Sequence, residues 1–546
     1  MRMPDFTISF NIQKKTLDNI RKWLDENALR LIIVVLALIS VFFFDYYYQN
    51  GLGLAYNDAR SHLDIGRRVV EGLKPGIAQL GSVWLPLPHV LMIPTIWSDF
   101  MWHSGLAGAI VSMASFVVLG VVIYKFLEEL GAGMLARLFG VLVFIANVNI
   151  LYLQSTAMTE LLLMVTMTTG AYYLMLWAKT DKILNLIKSA FFIMLSTVTR
   201  YDGWFLLLVA TLIIAFNVFK KKGYQETEGK VILFVTLGSL GIALWFFWNL
   251  LIFGDSLYFA FGPFSAKAQQ DQLDAAGDLH SKYNLLLSIK IYLYALVYNS
   301  YAYQVFLGFF GFVALWKAKI KYEMKVAAVA LLAPLFFNVL ALFMGHSVLF
   351  VQGISGNTWF NVRYGIMLLP SIAVFAGFLV ERLKNLRWVI IGLFIFVAFF
   401  AFANTDAVTI DDAKVGSSQK NVSEVSGWLA ENAASKKGFV LISAASHDAI
   451  IFSSGMQMKR FIHEGTGLYW ESATTSPDRW ARWIVMRTHD DNDLTWMRVS
   501  ESDALEKYNL VDSYPFADIY ELDQKYLSTL NTEPVFGKHA DIKKQK

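Results

Sequence analysis

Asn57-Asp58-Ala59-Arg60, with His62 two residues further on, is the densest polar cluster beside the first long apolar run of this chain. Carboxylates move protons, and guanidiniums hold anionic oxygens through paired N–H groups without losing their charge. Thr159-Glu160, Thr199-Arg200-Tyr201-Asp202-Gly203-Trp204 and Asn361-Val362-Arg363-Tyr364 add two acids, two arginines and two tyrosines. Each of these groups stands at the end of an apolar run. Charges at a bilayer boundary are costly unless paired or wet, so a shared polar cavity is the expected arrangement.

The elements that must position this cluster are membrane spans. Of 546 residues 56% are hydrophobic and 16% charged, far from the average of soluble domains. Runs long enough to cross a hydrocarbon core, roughly 17–25 residues each, are expected near 29–48, 104–124, 134–153, 158–178, 184–199, 203–219, 231–253, 302–316, 326–344, 364–381 and 386–403. That is about eleven spans, with 285–300 either a further span or an interfacial helix. The basic segments at Lys14 to Lys22, Lys179 to Lys188, Lys220 to Lys222, Lys317 to Lys325 and Arg382 to Arg387 alternate with the polar loops. Short loops rich in Lys and Arg stay inside, so the candidate site and the tail face outwards. The membrane is expected to be the plasma membrane. The first apolar run is expected to stay in place, since no small-residue cleavage site follows it.

Residues 1–403 form the expected membrane domain and 404–546 an extracytoplasmic domain. The tail carries 21 acidic and 16 basic side chains against 22 and 31 before it. A helical pattern over Val422 to Glu431 alternates with apolar strands at Phe439–Ser443, Arg460–His463 and Trp483–Arg487, which predicts a small α/β fold. Asn421-Val422-Ser423 is a glycan-acceptor triplet. Lys538 to Lys546 reads as disordered. Trp84, Pro86, Pro88, Gly76 and Gly81 predict a first outer loop that folds back on the membrane surface. Phe261-Gly262-Pro263-Phe264-Ser265 marks a turn, and Gln269-Gln270-Asp271-Gln272 reads as a solvated linker, with a lid over the acceptor as the other reading.

The motifs resemble those of the C-type membrane glycosyltransferases, a superfamily that includes dolichyl-phosphate-mannose protein O-mannosyltransferases and bacterial aminoarabinose transferases. The resemblance is carried by Tyr56-Asn57-Asp58-Ala59-Arg60-Ser61-His62, Gln79 to His89, Met158-Thr159-Glu160 and Thr199 to Trp204, and covers roughly the first half of the membrane region. It implies transfer of one sugar from a polyprenyl-phosphate carrier to an acceptor hydroxyl of a protein or glycan on the outer face, with inversion. In that reaction Asp58 is the candidate acceptor base and Glu160 the second catalytic acid, with Arg60 helping to organise the site. Arg200 and Arg363 are candidate phosphate ligands, flanked by Tyr201 and Tyr364, with Asp202 orienting Arg200 and His62 adding a further polar contact to substrate.

Every one of these residues also has a purely structural reading. Asp58 could pair with Arg60 at a helix start, and Glu160 could favour a helix dipole. The arginines could reach to headgroups, the tyrosines could form an interfacial belt, and a lone His near an interface is commonly a hydrogen-bonded filler. His62 and His89 lack a metal-binding spacing, so no metal or other cofactor is expected, with a divalent ion held open. With no Cys, disulfides and thiol chemistry are excluded. No phosphate loop or basic nucleic-acid motif is present, which fits a lipid-phosphate donor better than a nucleotide sugar. The main alternative is a transporter or flippase of lipid-linked sugars, whose polar groups are expected at mid-membrane on broken helices. An oligosaccharyltransferase is disfavoured by the absence of a tryptophan-tryptophan-aspartate motif near Trp480 to Trp483.

Overall fold

The computed structural model describes residues 14–262, 265–275, 277, 279–415 and 419–534. The turn at Pro263-Phe264 and the segment from Lys538 to Lys546 lie outside them.

Among the described residues, seven helices are long and apolar enough to cross a membrane: Glu26–Gln49, Leu106–Glu129, Glu160–Thr180, Asp202–Gly238, Tyr322–Phe343, Val362–Arg382 and Arg387–Lys414. An eighth span results if Leu285–Ser300 and Ala302–Lys317, bent by 108° to one another, are taken together. The protein is therefore a multi-pass membrane protein. The sequence count of eleven exceeds this because runs there were equated with whole spans. Met134–Ile145, Ile183–Thr197 and Leu240–Phe253 are apolar helices of only 10–17 residues, short of the roughly 20 that a straight crossing needs. Asp202–Gly238 joins two runs across Gly223, whose backbone (φ 77°) breaks the helix just after Lys220 to Lys222. Tyr301 turns the bent pair with a left-handed φ of 56°.

Two close approaches bring the polar steps to one end of the bundle. Gly365 lies so near the helix Leu285–Ser300 that a Cβ there would sit 2.2 Å from the Ala295 carbonyl oxygen. Asn299 Nδ2 also donates to the Val362 carbonyl at 2.7 Å, which pins the turn carrying Arg363 and Tyr364. At Gly203 a Cβ would meet Ser196 backbone at 2.3 Å, so the helices Ile183–Thr197 and Asp202–Gly238 meet in a tight corner that presents Arg200 to Asp202. Ala in either place would force the backbones apart.

The loop after the first span does not cross the bundle. It forms a helix Asn57–Val70, a 3-10 turn Ile77–Leu80 and two short helices, Leu87–Met92 and Asp99–His103, before the next long helix begins. Its Pro and Gly residues break it into short elements, none of them long enough to cross a membrane.

The tail contains strands β1 (Phe439–Ile442), β2 (Phe461–Ile462), β3 (Ala481–Met486), β4 (Tyr508–Ser513) and β5 (Asp518–Leu522) in the order β2-β1-β3-β5-β4. The first three are parallel and the last two antiparallel additions. Helix Gln419–Asn432, which contains Asn421, and β1 to β3 fall where apolar periodicity placed them. Strands β4, largely exposed, and β5, half-buried, lack the continuous apolar run that marks a strand in sequence.

The tail roofs the first loop through the helix Ala444–Ser453. Asp64 and Asp448 are buried beside one another in the contact, with Trp102 Nε1 donating to Asp64 at 3.0 Å. Arg68 lies 3.5 Å from Asp448. Burial pushes the Asp64 carboxyl well up and Asp448 up to about 6. Acids raised on folding stabilise the contact fully below their unfolded value, about 4, and that stabilisation is lost as pH rises through 6 and above. Asp448→Asn is accordingly expected to raise the thermal midpoint in detergent by a few degrees at pH 8 and by less at pH 5. An equal shift at the two pH values contradicts the raised carboxyls.

Candidate active site

Helix starts and turns from four segments converge on a cavity of about 480 Å³. Asp58 stands in the first turn of Asn57–Val70, where an acid complements the helix dipole. Its Oδ2 is held by Arg363, while Oδ1 has no partner among the described residues and the side chain is 42% exposed to the cavity.

Arg363 is the hub. Its Nε donates to Glu160 Oε1 at 3.0 Å, one terminal nitrogen binds Asp58, and the other lies 3.8 Å from Asp412 Oδ2. The Tyr56 and Tyr364 rings sit 4.9 and 5.4 Å from its guanidinium carbon. Tyr56 donates to the Thr409 carbonyl at 2.8 Å and lies 3.2 Å from Asp412, so the helix Val408–Val415 is tied into the same cluster. Arg363 is buried, and every one of its nitrogens faces an acid.

Arg200 is less committed. Its contacts to Thr159 Oγ1, Glu160 Oε1 and Asp202 Oδ2 are long, 3.4 to 3.5 Å, and its guanidinium carbon lies 4.8 Å from the Tyr364 ring centre. Burial opposes its charge, but Tyr364, Asp202 and Glu160 outweigh burial and hold its pKa above the ordinary arginine value. Four acids, Asp58, Glu160, Asp202 and Asp412, thus face two guanidiniums. With the acids ionised, an arriving anion must replace a carboxylate at Arg200, and the long contacts make that exchange the easiest one in the cluster.

The cavity wall includes Asp58, His62, Arg200, Tyr201, Asp202, Arg363 and Tyr364. Glu160 does not line it: fully buried behind the two arginines, it joins them through one oxygen while Oε2 has no hydrogen bond. Arg60 does not line it either. Its Nε donates to the Leu54 carbonyl at 2.9 Å, which places it on the far side of the helix from the open carboxylate oxygen. Tyr201 donates to the Val83 carbonyl at 3.1 Å and stacks on Phe259, so it braces the wall.

Asp412 lies beyond the end of the last apolar run, in the stretch that reads as the start of the tail, so apolar periodicity does not single it out. Its only sequence signal is an acid pair within ten residues of the end of that apolar run. The segment around Gln269 to Gln272 is not a solvated linker. It belongs to the helix Ala266–Ala275, and Gln270, buried on the cavity, donates to the His346 carbonyl at 2.6 Å. Among the described residues no group of three or more His, Asp or Glu is placed to hold a metal ion.

No protein-family model and no curated protein matches the sequence. The structure aligns with ArnT from Cupriavidus metallidurans bound to undecaprenyl phosphate, with a TM-score of 0.56 and 11% identity over 92% of this chain and 99% of that one. The apo form of the same protein aligns with a TM-score of 0.51 and 11% identity over 88% and 97%. An oligosaccharyltransferase from Archaeoglobus fulgidus, in a complex with Zn and sulfate, gives 0.48 and 12% over 90% and 73%, a level from which nothing is drawn. The ArnT alignments cover most of both chains and place this chain in the same fold.

Proposed function

We propose that this chain, whose fold is that of the C-type membrane glycosyltransferases, moves one sugar from a polyprenyl-phosphate carrier to an acceptor hydroxyl of a protein or glycan. The observation that carries this reading is the pairing, in one cavity, of an open carboxylate oxygen on Asp58 with a charged, replaceable guanidinium on Arg200. The undecaprenyl phosphate named with the ArnT structure supports a lipid-phosphate donor for this fold.

In the proposed step the acceptor oxygen attacks the anomeric carbon as Asp58 Oδ1 takes its proton. The bond from that carbon to the phosphate oxygen breaks on the opposite face, and the lipid phosphate leaves with the electron pair. Attack and departure on opposite faces invert the anomeric centre. The leaving phosphate gains negative charge as the bond breaks, and a fixed cation beside it lowers the barrier. Arg200 takes that role. Arg363 and Glu160 hold Asp58 and Arg200 in register, and Asp202 orients Arg200 until the phosphate arrives. Membrane lipids surround the spans, the site opens on the outer face by the distribution of basic loops, and no nucleic acid is involved.

Arg200→Ala is expected to lower kcat/KM for the lipid donor by about 10²–10³-fold, the size of a lost charge-stabilising donor, with little change in acceptor KM. Arg200→Lys restores part of it, since an ammonium keeps the charge but not the two-pronged contact. Steady-state transfer from polyprenyl-phosphate mannose and glucose to membrane-extract acceptors measures this. An unchanged donor kcat/KM in Arg200→Ala contradicts the assignment.

A further inference from the structure

His62 and His89 form a buried pair beside the acid–arginine cluster, and the transfer step above gives neither a task. His62 Nδ1 lies 2.8 Å from His89 Nε2, so one of these nitrogens carries a proton and the other accepts it. The direction is set from behind. The other nitrogen of His89, Nδ1, is buried without a full hydrogen bond, and the group that interacts with it is the Leu85 backbone carbonyl, which can only accept. Burial keeps the His89 ring well below its usual pKa, so it has a single N–H. That proton belongs on Nδ1, facing the carbonyl, and leaves Nε2 as an acceptor. His62 must then donate from Nδ1. It too is neutral, pushed down to about 3 by burial and by the neighbouring Arg200 and Arg363. Its Nε2 therefore holds a free lone pair.

That lone pair is on the edge that reaches the cavity. His62 lines the cavity and His89, on the Nδ1 side, does not. His62 is 6% exposed, and among the described residues nothing hydrogen-bonds to Nε2. Trp84 packs on the ring with centroids 4.3 Å apart and fixes its plane. His62 also follows Asp58 by four residues on the helix Asn57–Val70, so both side chains share one face, a turn apart.

We infer that His62 is a specificity-determining residue of the transfer site, accepting at Nε2 a hydrogen bond from a hydroxyl of the sugar handled there. His89 is a positioning residue that acts through it. The inference rests on the transferase reading and narrows it: a fixed acceptor selects an O–H and turns away a carboxylate at the same place. The hydroxyl belongs either to the donor sugar or to a sugar acceptor.

Two measurements test it. The first compares kcat/KM for polyprenyl-phosphate mannose and its monodeoxy analogues, and for octyl mannoside and its monodeoxy analogues as acceptors, in wild type, His62→Phe and His62→Gln. One analogue is expected to lose about tenfold with wild type, to lose nothing further with His62→Phe, and to keep its penalty with His62→Gln, whose amide oxygen can still accept. The arm in which this occurs identifies the source of the hydroxyl. The same deoxy penalties in wild type and His62→Phe overturn the inference while transfer itself stands. Absence of transfer by wild type removes the transferase reading and this assignment with it. The second is nitrogen-15 NMR of labelled histidines in detergent, which needs no turnover. His62 is expected to show an unprotonated Nε2 and a protonated Nδ1, with that preference lost in His89→Phe. A protonated His62 Nε2 in wild type overturns the inference whatever the kinetics show.

Discussion

Asp58→Asn is expected to lower the rate of sugar transfer by about 10²–10⁴-fold, the contribution of a positioned general base, while lipid-donor binding stays within a few-fold of wild type. The isosteric amide preserves the shape of the helix start but cannot accept the acceptor's proton. Asp58 is the acid suited to this role because its carboxylate is divided between two tasks. Oδ2 is held by Arg363, which sets the orientation, and Oδ1 is open to the cavity. Glu160 is fully buried behind the arginines, and Asp412 is buried against Tyr56 and Arg363. Purified Asp58→Asn protein, compared with wild type for donor binding and single-turnover transfer, gives the answer directly. Loss of donor binding equal to the loss of transfer would move Asp58 from base to structural anchor.

Arg363→Ala has the larger structural consequence. Arg363 links acids on three separate segments, Asp58 after the first span, Glu160 at the start of Glu160–Thr180, and Asp412 beyond the last apolar run. Removing one partner of a buried ion pair leaves uncompensated charge and costs about 3–5 kcal/mol. Both transfer and the thermal midpoint in detergent are expected to fall sharply. Arg363→Lys is not expected to restore them, since one ammonium cannot serve three acids in different directions. Pairing Arg363→Met with Glu160→Gln removes a charge from each side and should recover stability without recovering transfer. Wild-type stability in Arg363→Ala would show that the cluster is solvated and that Arg363 is no hub.

The sequence carried the polar half of the site well and its three-dimensional logic poorly. Asp58, Arg200 and Arg363 stood out because charged residues at the ends of apolar runs are expensive, and the structure brings them around one cavity. What a linear pattern cannot hold is which guanidinium is already spoken for. Arg200 and Arg363 read alike in the sequence, yet Arg363 is enclosed by three acids and Arg200 makes only long contacts to its acids. Arg60 looked like part of the cluster by adjacency, but it lies two residues from Asp58, and positions two apart do not share a helix face. Asp412 was hidden by the assumption that a site ends where hydrophobicity ends. In the fold the helix Val408–Val415 returns to the cavity mouth. The difference in span count has a related reason: apolar composition marks burial in a helical bundle as readily as contact with lipid, and short helices such as Met134–Ile145 satisfy the pattern without the length.

The most direct test of the central claim is to supply purified wild-type protein with doubly labelled polyprenyl-phosphate mannose or glucose, one label in the sugar and one in the phosphate, together with membrane-extract acceptors. The expected result is sugar label on an acceptor, with one free polyprenyl phosphate released for each sugar moved, and both events slowed together by about 10²–10⁴-fold in Asp58→Asn. Sugar and phosphate labels that stay joined while the intact lipid crosses the bilayer of reconstituted vesicles would contradict the account and make the protein a flippase.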